Sequence, residues 1–408
     1  MTAEREFDLI RDSLDHCVKC TICESVCPVA AVTPLFPGPK YVGPQAERFR
    51  GAGPSVDASL DYCSSCGICT LACPQGVHVA EINSRARAVM KGQRGIPLRD
   101  QLIARPPLQG KLGTPVAPLA NLVLSNRFAR LVAEKTLGIH RHAPVPKFAG
   151  RTFRSWARRQ PAPATTGTRR VAYFHGCSTN YFEPGLGRMT VAVLAHNGCR
   201  VVLPRQECCG LPLQSNGISD AARSYVRRLA AGLAPYARQG YPIVATSTSC
   251  GLMLKREAIE ILGVEDDDLR AVSGQTYDIC EFLAELHQAG ELKTDFRPVP
   301  LTVTYHAPCQ QQGHNIGKPA LDLLALVPGL KVIELDRACC GMAGTYGLKR
   351  EKYDIAMQVG SGLFGDIRAA QPDLAVCDSE TCRWQITHGT GWTSVHPVEV
   401  LYRAYGLS

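Results

Sequence analysis

Two runs of four cysteines constrain this chain more than any other feature. The first reads Cys17-Val-Lys-Cys20-Thr-Ile-Cys23-Glu-Ser-Val-Cys27-Pro28, and the second Cys63-Ser-Ser-Cys66-Gly-Ile-Cys69-Thr-Leu-Ala-Cys73-Pro74. Both follow the spacing C-x2-C-x2-C-x3-C-P. Three cysteines two residues apart can wrap one face of a [4Fe–4S] cube. The fourth lies beyond a short turn and reaches the other cube. The spacing therefore predicts one cluster on Cys17, Cys20, Cys23 and Cys73, and a second on Cys63, Cys66, Cys69 and Cys27. Pro28 and Pro74 stiffen the chain leaving each fourth ligand.

Structural zinc is the alternative for C-x2-C pairs, but zinc motifs usually separate their two pairs by a dozen or more residues. A disulfide framework fits less well. The opening Met1 to Arg11 is charged and lacks an apolar export core, so the nineteen cysteines are expected to stay reduced. No apolar run reaches the roughly 18 residues of a membrane span. At 408 residues and 45% hydrophobic, the chain can build two or three cored domains.

The net charge of +9 is unevenly spread: residues 127–170 hold eleven Lys or Arg and one acid, Glu134. Within this region 116–137 has helical periodicity, with Val116, Leu119, Ala120, Val123, Phe128, Leu131 and Val132 recurring and Arg127, Arg130 and Lys135 following. Such a stretch can lie on an anionic membrane surface, or pack on its own protein or a partner subunit. No nucleic-acid motif accompanies the basic run, and no nucleic-acid partner is expected.

The C-terminal part repeats itself. Val171-Ala-Tyr-Phe-His-Gly-Cys177 aligns with Val303-Thr-Tyr-His-Ala-Pro-Cys309, Cys208-Cys209-Gly210 with Cys339-Cys340-Gly341, and Cys250 with Cys382. The offset stays at 131 or 132, so this is a duplication. Strands are expected at 171–174, 200–203 and 243–245, with helices at 186–196 and 221–237 between them. A helix is also expected at 80–91. The alternation predicts a parallel sheet with flanking helices in each copy, and ligands in such sheets bind beyond the strands' carboxyl ends. Cys177, Cys208, Cys209 and Cys250 all follow a strand, as do Cys309, Cys339, Cys340 and Cys382, so each set can gather four thiols on a metal. The overall expectation is a mixed α+β and α/β chain. A helical two-[4Fe–4S] ferredoxin-like domain (1–100) and a basic amphipathic linker (101–170) precede two Cys-Cys-Gly modules (171–296 and 297–408).

Two cubane runs followed by two Cys-Cys-Gly modules resemble the C subunits of anaerobic glycerol-3-phosphate dehydrogenases. Pro37-Gly-Pro-Lys40, Phe174-His-Gly-Cys177, Cys339-Cys-Gly-Met-Ala-Gly-Thr-Tyr-Gly347 and Glu380-Thr-Cys-Arg-Trp-Gln385 carry the likeness. The module itself is broader and also resembles heterodisulfide reductase and the iron–sulfur subunits of glycolate, lactate and some succinate dehydrogenases. The resemblance implies an electron-transfer subunit with no substrate-oxidising site of its own. It would take electrons from a flavin-bearing dehydrogenase and deliver them to menaquinone or ubiquinone at the cytoplasmic face of the inner membrane. No G-x-G-x-x-G follows a strand at the start of either domain. Two other readings are a heterodisulfide-reductase-like catalytic subunit and a scaffold whose modules hold structural zinc.

The sequence departs from the full module pattern at Ser247 and Ser379, where a C-x2-C pair would place its first cysteine. Each copy then offers four aligned thiols, enough for one iron–sulfur cluster or one zinc. Cys377 could substitute in the second copy; otherwise it reads, like Cys199 and Cys280, as a small buried hydrophobe. His175 and His306 precede module cysteines and could bond a cluster sulfur or cap a carbonyl.

Overall fold

The computed structural model describes residues 8–50, 57–160, 167 and 169–407, so residues 1–7 of the charged opening segment lie outside it. Two four-stranded parallel sheets dominate the C-terminal part. The first holds β1 (Arg169–Phe174), β2 (Cys199–Val202), β3 (Ile243–Ala245) and β4 (Thr276–Asp278) in the order β2-β1-β3-β4. The second holds β5 (Thr302–Tyr305), β6 (Lys331–Glu334), β7 (Leu374–Val376) and β8 (Ser394–Val395) in the order β6-β5-β7-β8. The repeat is thus a repeat of fold: a doubly wound sheet whose order reverses beside its first strand. That reversal opens a crevice at the carboxyl ends of the strands.

The expected module strands and helices form within one or two residues of their expected limits, the helices as Pro184–His196 and Ser219–Ala237, while the helix expected at 80–91 runs three residues further, as Val79–Arg94. Nothing in the sequence marks the fourth strand of each sheet. β4 and β8 span three and two residues, too short for periodicity to show them. The apolar strands are buried on both faces, as parallel strands covered by helices should be; Val171, Ala172, Ile243, Val244 and Val303 have no exposure.

One core runs through both modules. Val171, Tyr173 and Val244 of the first sheet share it with Val303, Tyr305 and Val376 of the second. Between the sheets lie the helices Pro184–His196, Ile279–Gln288, Pro319–Ala325 and Pro397–Ala404. Asp278 and His396 occupy matching places at the ends of β4 and β8. Each caps the helix that follows it, with a glutamate three residues on completing a capping box.

The N-terminal part is built from short helical turns around the two cysteine runs and one long helix, Val79–Arg94. Buried ions fasten it to the second module. Asp100 is wholly buried and lies 3.4 Å from Lys91 Nζ, 3.0 Å from Lys349 Nζ and 3.0 Å from Arg99 Nε. Burial pushes the Asp100 carboxyl up, but Lys349, Lys91 and Arg99 outweigh it and hold it below the usual range. Asp61 pairs with Lys91 at 2.8 Å and Lys352 at 2.9 Å.

The stretch 116–137 is two helices, Ala117–Ser125 and Arg127–Leu137, broken at Asn126. Asn126 caps the second, its Oδ1 accepting from Phe128 N and Ala129 N. The apolar side chains of this pair face outward: Leu119, Leu122, Val123, Phe128 and Val132 are all exposed. Among the described residues, no helix is long and apolar enough to cross a membrane.

Candidate functional site

The structure groups the N-terminal thiols into two cavities. Cys17, Cys20, Cys23 and Cys73 line one. Cys27, Cys63, Cys66 and Cys69 line another of similar size. Local backbone builds both in the same way. Lys19 and Thr21 bracket Cys20 with φ of 61° and 68°, and Ser65 and Gly67 bracket Cys66 with φ of 56° and 82°. Positive φ at lysine, threonine and serine is strained. Its recurrence at matching places shows that the loop's shape, which turns three thiols onto one cavity, outweighs local preference.

Crowded thiols without a cation hold their protons. Burial, then Glu24 and neighbouring thiols, push Cys23 up to about 11. Burial pushes Cys27 to about 11 as well, and Cys66 and Cys69 higher still. Binding iron deprotonates such thiols and removes their mutual repulsion. Four sulfur donors around one small cavity suit an iron–sulfur cube. The two cavities adjoin, since Cys69 of the second packs with Cys17, Cys23 and Cys73 of the first around Val79, Ala80 and Ile82.

The module thiols sit at the strand ends. Cys177 follows β1, the Cys208–Cys209 pair follows β2, and Cys250 opens the helix after β3. Cys177 and Cys208 Sγ lie 3.8 Å apart, and Cys209 and Cys250 Sγ 3.1 Å. In the second module Cys340 and Cys382 Sγ lie 2.9 Å apart. Hydrogen bonding to Cys339, then burial, raises Cys309, which places that pair in contact. Both Cys-Cys-Gly turns need their glycine. Gly210 and Gly341 have φ of +83° and +86°, and a Cβ would stand 3.0 Å from the Ala222 carbonyl oxygen and 1.9 Å from that of Ala356. The glycine lets each cysteine pair dock directly on the backbone of the next long helix.

The two serines act otherwise than cysteine would. Ser247 Oγ accepts from Cys250 N at 3.4 Å and donates to Glu380 Oε1 at 3.1 Å, capping one module's helix while tying it to the other module. Ser379 starts the helix Glu380–Thr390 and meets Thr381 Oγ1 at 3.3 Å. Cys377 is buried in the second module's core beside Cys382, and Cys199 and Cys280 are buried in the shared core. His175 Nδ1 meets the Gly176 carbonyl at 2.7 Å, and its Nε2 has no partner among the described residues. His306 is buried near Cys339 with neither ring nitrogen partnered among them.

Between the modules, the linker and the N-terminal domain lies a chamber open to solvent on one side. Cys177, Cys209, Cys250, Cys309, Cys339, Cys340 and Cys382 reach its wall, and Cys208 lies behind Cys177. Cys66 lines both this chamber and the second N-terminal cavity, packing with Ile68, Cys309 and Cys339. The remaining wall is mostly apolar, from Leu102, Leu124, Phe148, Phe182, Met342 and Trp384. Sequence reasoning missed this chamber and its acid Glu257, and met Glu380 only as the first residue of a segment that carries the family likeness. Nothing in the sequence around Glu257 marks it, because long-range packing makes the chamber.

A family model described as a 4Fe-4S dicluster domain matches residues 13–77, and one described as a cysteine-rich domain matches 171–255 and again 303–387. The C subunit of the anaerobic glycerol-3-phosphate dehydrogenase of Escherichia coli (strain K12) is 38% identical over 96% of this chain and 98% of its own length. The chain belongs to that C-subunit family. Wider relatives match about half of the chain. The D subunit of the dihydromethanophenazine:CoB–CoM heterodisulfide reductase of Methanosarcina barkeri is 27% identical over 54% of each chain. Lactate utilization protein A of Halalkalibacterium halodurans is 29% identical over 44% of this chain and 73% of its own. As a member of the C-subunit family, the chain carries an iron–sulfur dicluster domain followed by duplicated cysteine-rich domains.

Proposed function

We propose that the chain is an electron-transfer subunit that accepts electrons from a flavin-bearing dehydrogenase, with glycerol 3-phosphate as that partner's substrate, and delivers them to a membrane quinone in the inter-module chamber. The observation that carries this reading is Cys66, which lies on the wall of the second N-terminal cavity and of the chamber at once. Two [4Fe–4S] groups held by Cys17, Cys20, Cys23 and Cys73 and by Cys63, Cys66, Cys69 and Cys27 supply one-electron chemistry at potentials that the protein tunes. The residues do the rest. Val79, Ala80 and Ile82 pack between the first two cavities and hold them adjacent. Ile68 seals Cys66 against Cys309 and Cys339. The eight module thiols place a further iron–sulfur or zinc site at the strand ends of each module.

The apolar wall suits an uncharged ring with a hydrocarbon tail. Its rim is continuous with the outward-facing helices: Leu102 and Leu124 line the chamber, while Leu119, Leu122 and Phe128 face out nearby in sequence. Arg127 and Lys135 are exposed on the second helix of the pair, and Lys111 on the preceding helix Pro106–Gly113. We read this face as resting on an anionic membrane, with the chain bound peripherally and its chamber open toward the lipid. Asn121 fixes the helix to the chamber wall by exchanging two hydrogen bonds with the Phe148 backbone, at 2.8 and 2.9 Å.

Air-free purification followed by iron and sulfide analysis tests the reading. Two cubanes alone give about eight irons per chain, and the module sites add to this where they hold iron. Two irons or fewer in a reconstituted sample would contradict it. A steady disulfide-reductase turnover with reduced viologen would favour the heterodisulfide-reductase reading, which the thiol-lined chamber also supports.

A further inference from the structure

Glu257 is an acid on the chamber wall for which electron transfer alone has no use. It ends a π-helical turn, Met253–Glu257, that follows the short helix carrying Cys250. Such turns insert an extra residue, re-aim a side chain and are frequent at functional sites. Glu257 Oε2 is sealed from solvent and has no hydrogen-bond partner among the described residues. A buried, unpaired carboxylate is expensive, whereas a carboxylic acid there is a free hydrogen-bond donor.

The groups facing it favour the acid form. Glu260 and Arg256 share its helix, and Arg256 is engaged by Glu260 at 3.0 Å and by the Gly313 carbonyl at 3.1 Å. From the N-terminal domain come Glu81, which accepts from Thr70 Oγ1 at 2.7 Å, and His78, 3.9 Å from Glu81. Arg85 is taken up by Asp8 and the Glu260 carbonyl. Among the described residues, no cation is left over to pair with Glu257. Burial, then the charges of Glu81 and Glu260, raise its carboxyl to about 8.

We infer that Glu257 binds the chamber's ligand, its carboxylic acid donating a hydrogen bond to a carbonyl oxygen of a quinone. This rests on the chamber being a quinone site. A quinone brings an uncharged, planar body for the apolar wall and a strong acceptor for the unpartnered donor. The acid form is the competent one, so affinity follows its population.

The test uses the full, oxidised chain and duroquinone, a fully ring-substituted quinone that does not add to thiols. Binding is measured by equilibrium dialysis, with no turnover required. Wild-type affinity falls about tenfold from pH 7 to pH 9, because the protonated fraction falls by that factor. Glu257→Gln keeps a donor of the same shape and binds with no pH dependence over this range, while Glu257→Leu binds at least tenfold more weakly at pH 7. Unchanged iron content in both variants serves as the folding control. Wild-type binding that ignores pH and survives Glu257→Leu overturns the role of Glu257 and leaves the chamber's reading standing. Absence of any duroquinone binding to the wild type overturns the chamber reading and this inference with it.

Discussion

Cys66 is the residue on which two sites meet. Replacing it with serine removes one of four donors from the second N-terminal cavity and the thiol that faces Cys309 and Cys339. Cys66→Ser is expected to lower bound iron by about four atoms per chain while the site of Cys17, Cys20, Cys23 and Cys73 stays filled. Unchanged iron would show that Cys66 is no ligand. A second residue-scale test concerns Asp278 and Asp378, whose carboxylates meet beside Cys280 in the inter-module core, with Tyr305 donating to Asp378 at 2.8 Å. Burial raises both. The charge of Asp378 lifts Asp278 further, to about 8, and the Tyr305 hydrogen bond restrains Asp378 to about 6. Both folded values exceed the unfolded value of about 3.9, so the folded state binds more protons between the two. Stability is full at the acid end of this window and falls as pH rises, by up to about 1.4 kcal/mol per pH unit for each proton retained. Thermal unfolding under argon at pH 6, 7 and 8 should show this fall. Asp278→Asn, which keeps the helix cap, should flatten it; an unchanged slope would place the dependence elsewhere.

At the scale of elements, the exposed helix pair 117–125 and 127–137 makes a distinct prediction. Leu122→Ser together with Phe128→Ser should weaken binding to vesicles containing anionic lipid about tenfold or more, given what burial of large apolar side chains contributes. Equal binding by variant and wild type in a co-sedimentation assay would remove the membrane face. This pair also shows what the sequence makes legible. Its apolar periodicity announces helix, but the break at Asn126 is a capping event and leaves that periodicity almost untouched. The repeat and its turn chemistry make the two parallel sheets legible. The two edge strands β4 and β8 are not, because two or three residues owe their conformation to their neighbours. The spacing of the N-terminal cysteines bears directly on which thiols share a cavity, since short loops leave few ways to close. The chamber is illegible, because residues as distant as Leu102, Glu257 and Trp384 form it only after both modules dock. Lys255-Arg256-Glu257 reads as an ordinary charged helix face; only the π-turn sets Glu257 apart.

At the scale of the whole molecule, the thiol sites run in series: the cavity of Cys17, the cavity of Cys66, then the chamber. Their order depends on the N-terminal domain staying fastened to the second module, and the wholly buried Asp100 is central to that. Asp100→Ala leaves Lys91, Lys349 and Arg99 without their shared carboxylate, and should lower stability by roughly 3–5 kcal/mol. A loss below about 1 kcal/mol would show that the domains are held by apolar contact instead. The series itself is tested most directly by electron paramagnetic resonance of the dithionite-reduced, full chain, with spins counted. The arrangement predicts about two iron–sulfur spins per chain from the N-terminal domain, their lines split by each other because the two cavities adjoin. A single unsplit centre, or no iron-based signal at all, would contradict it.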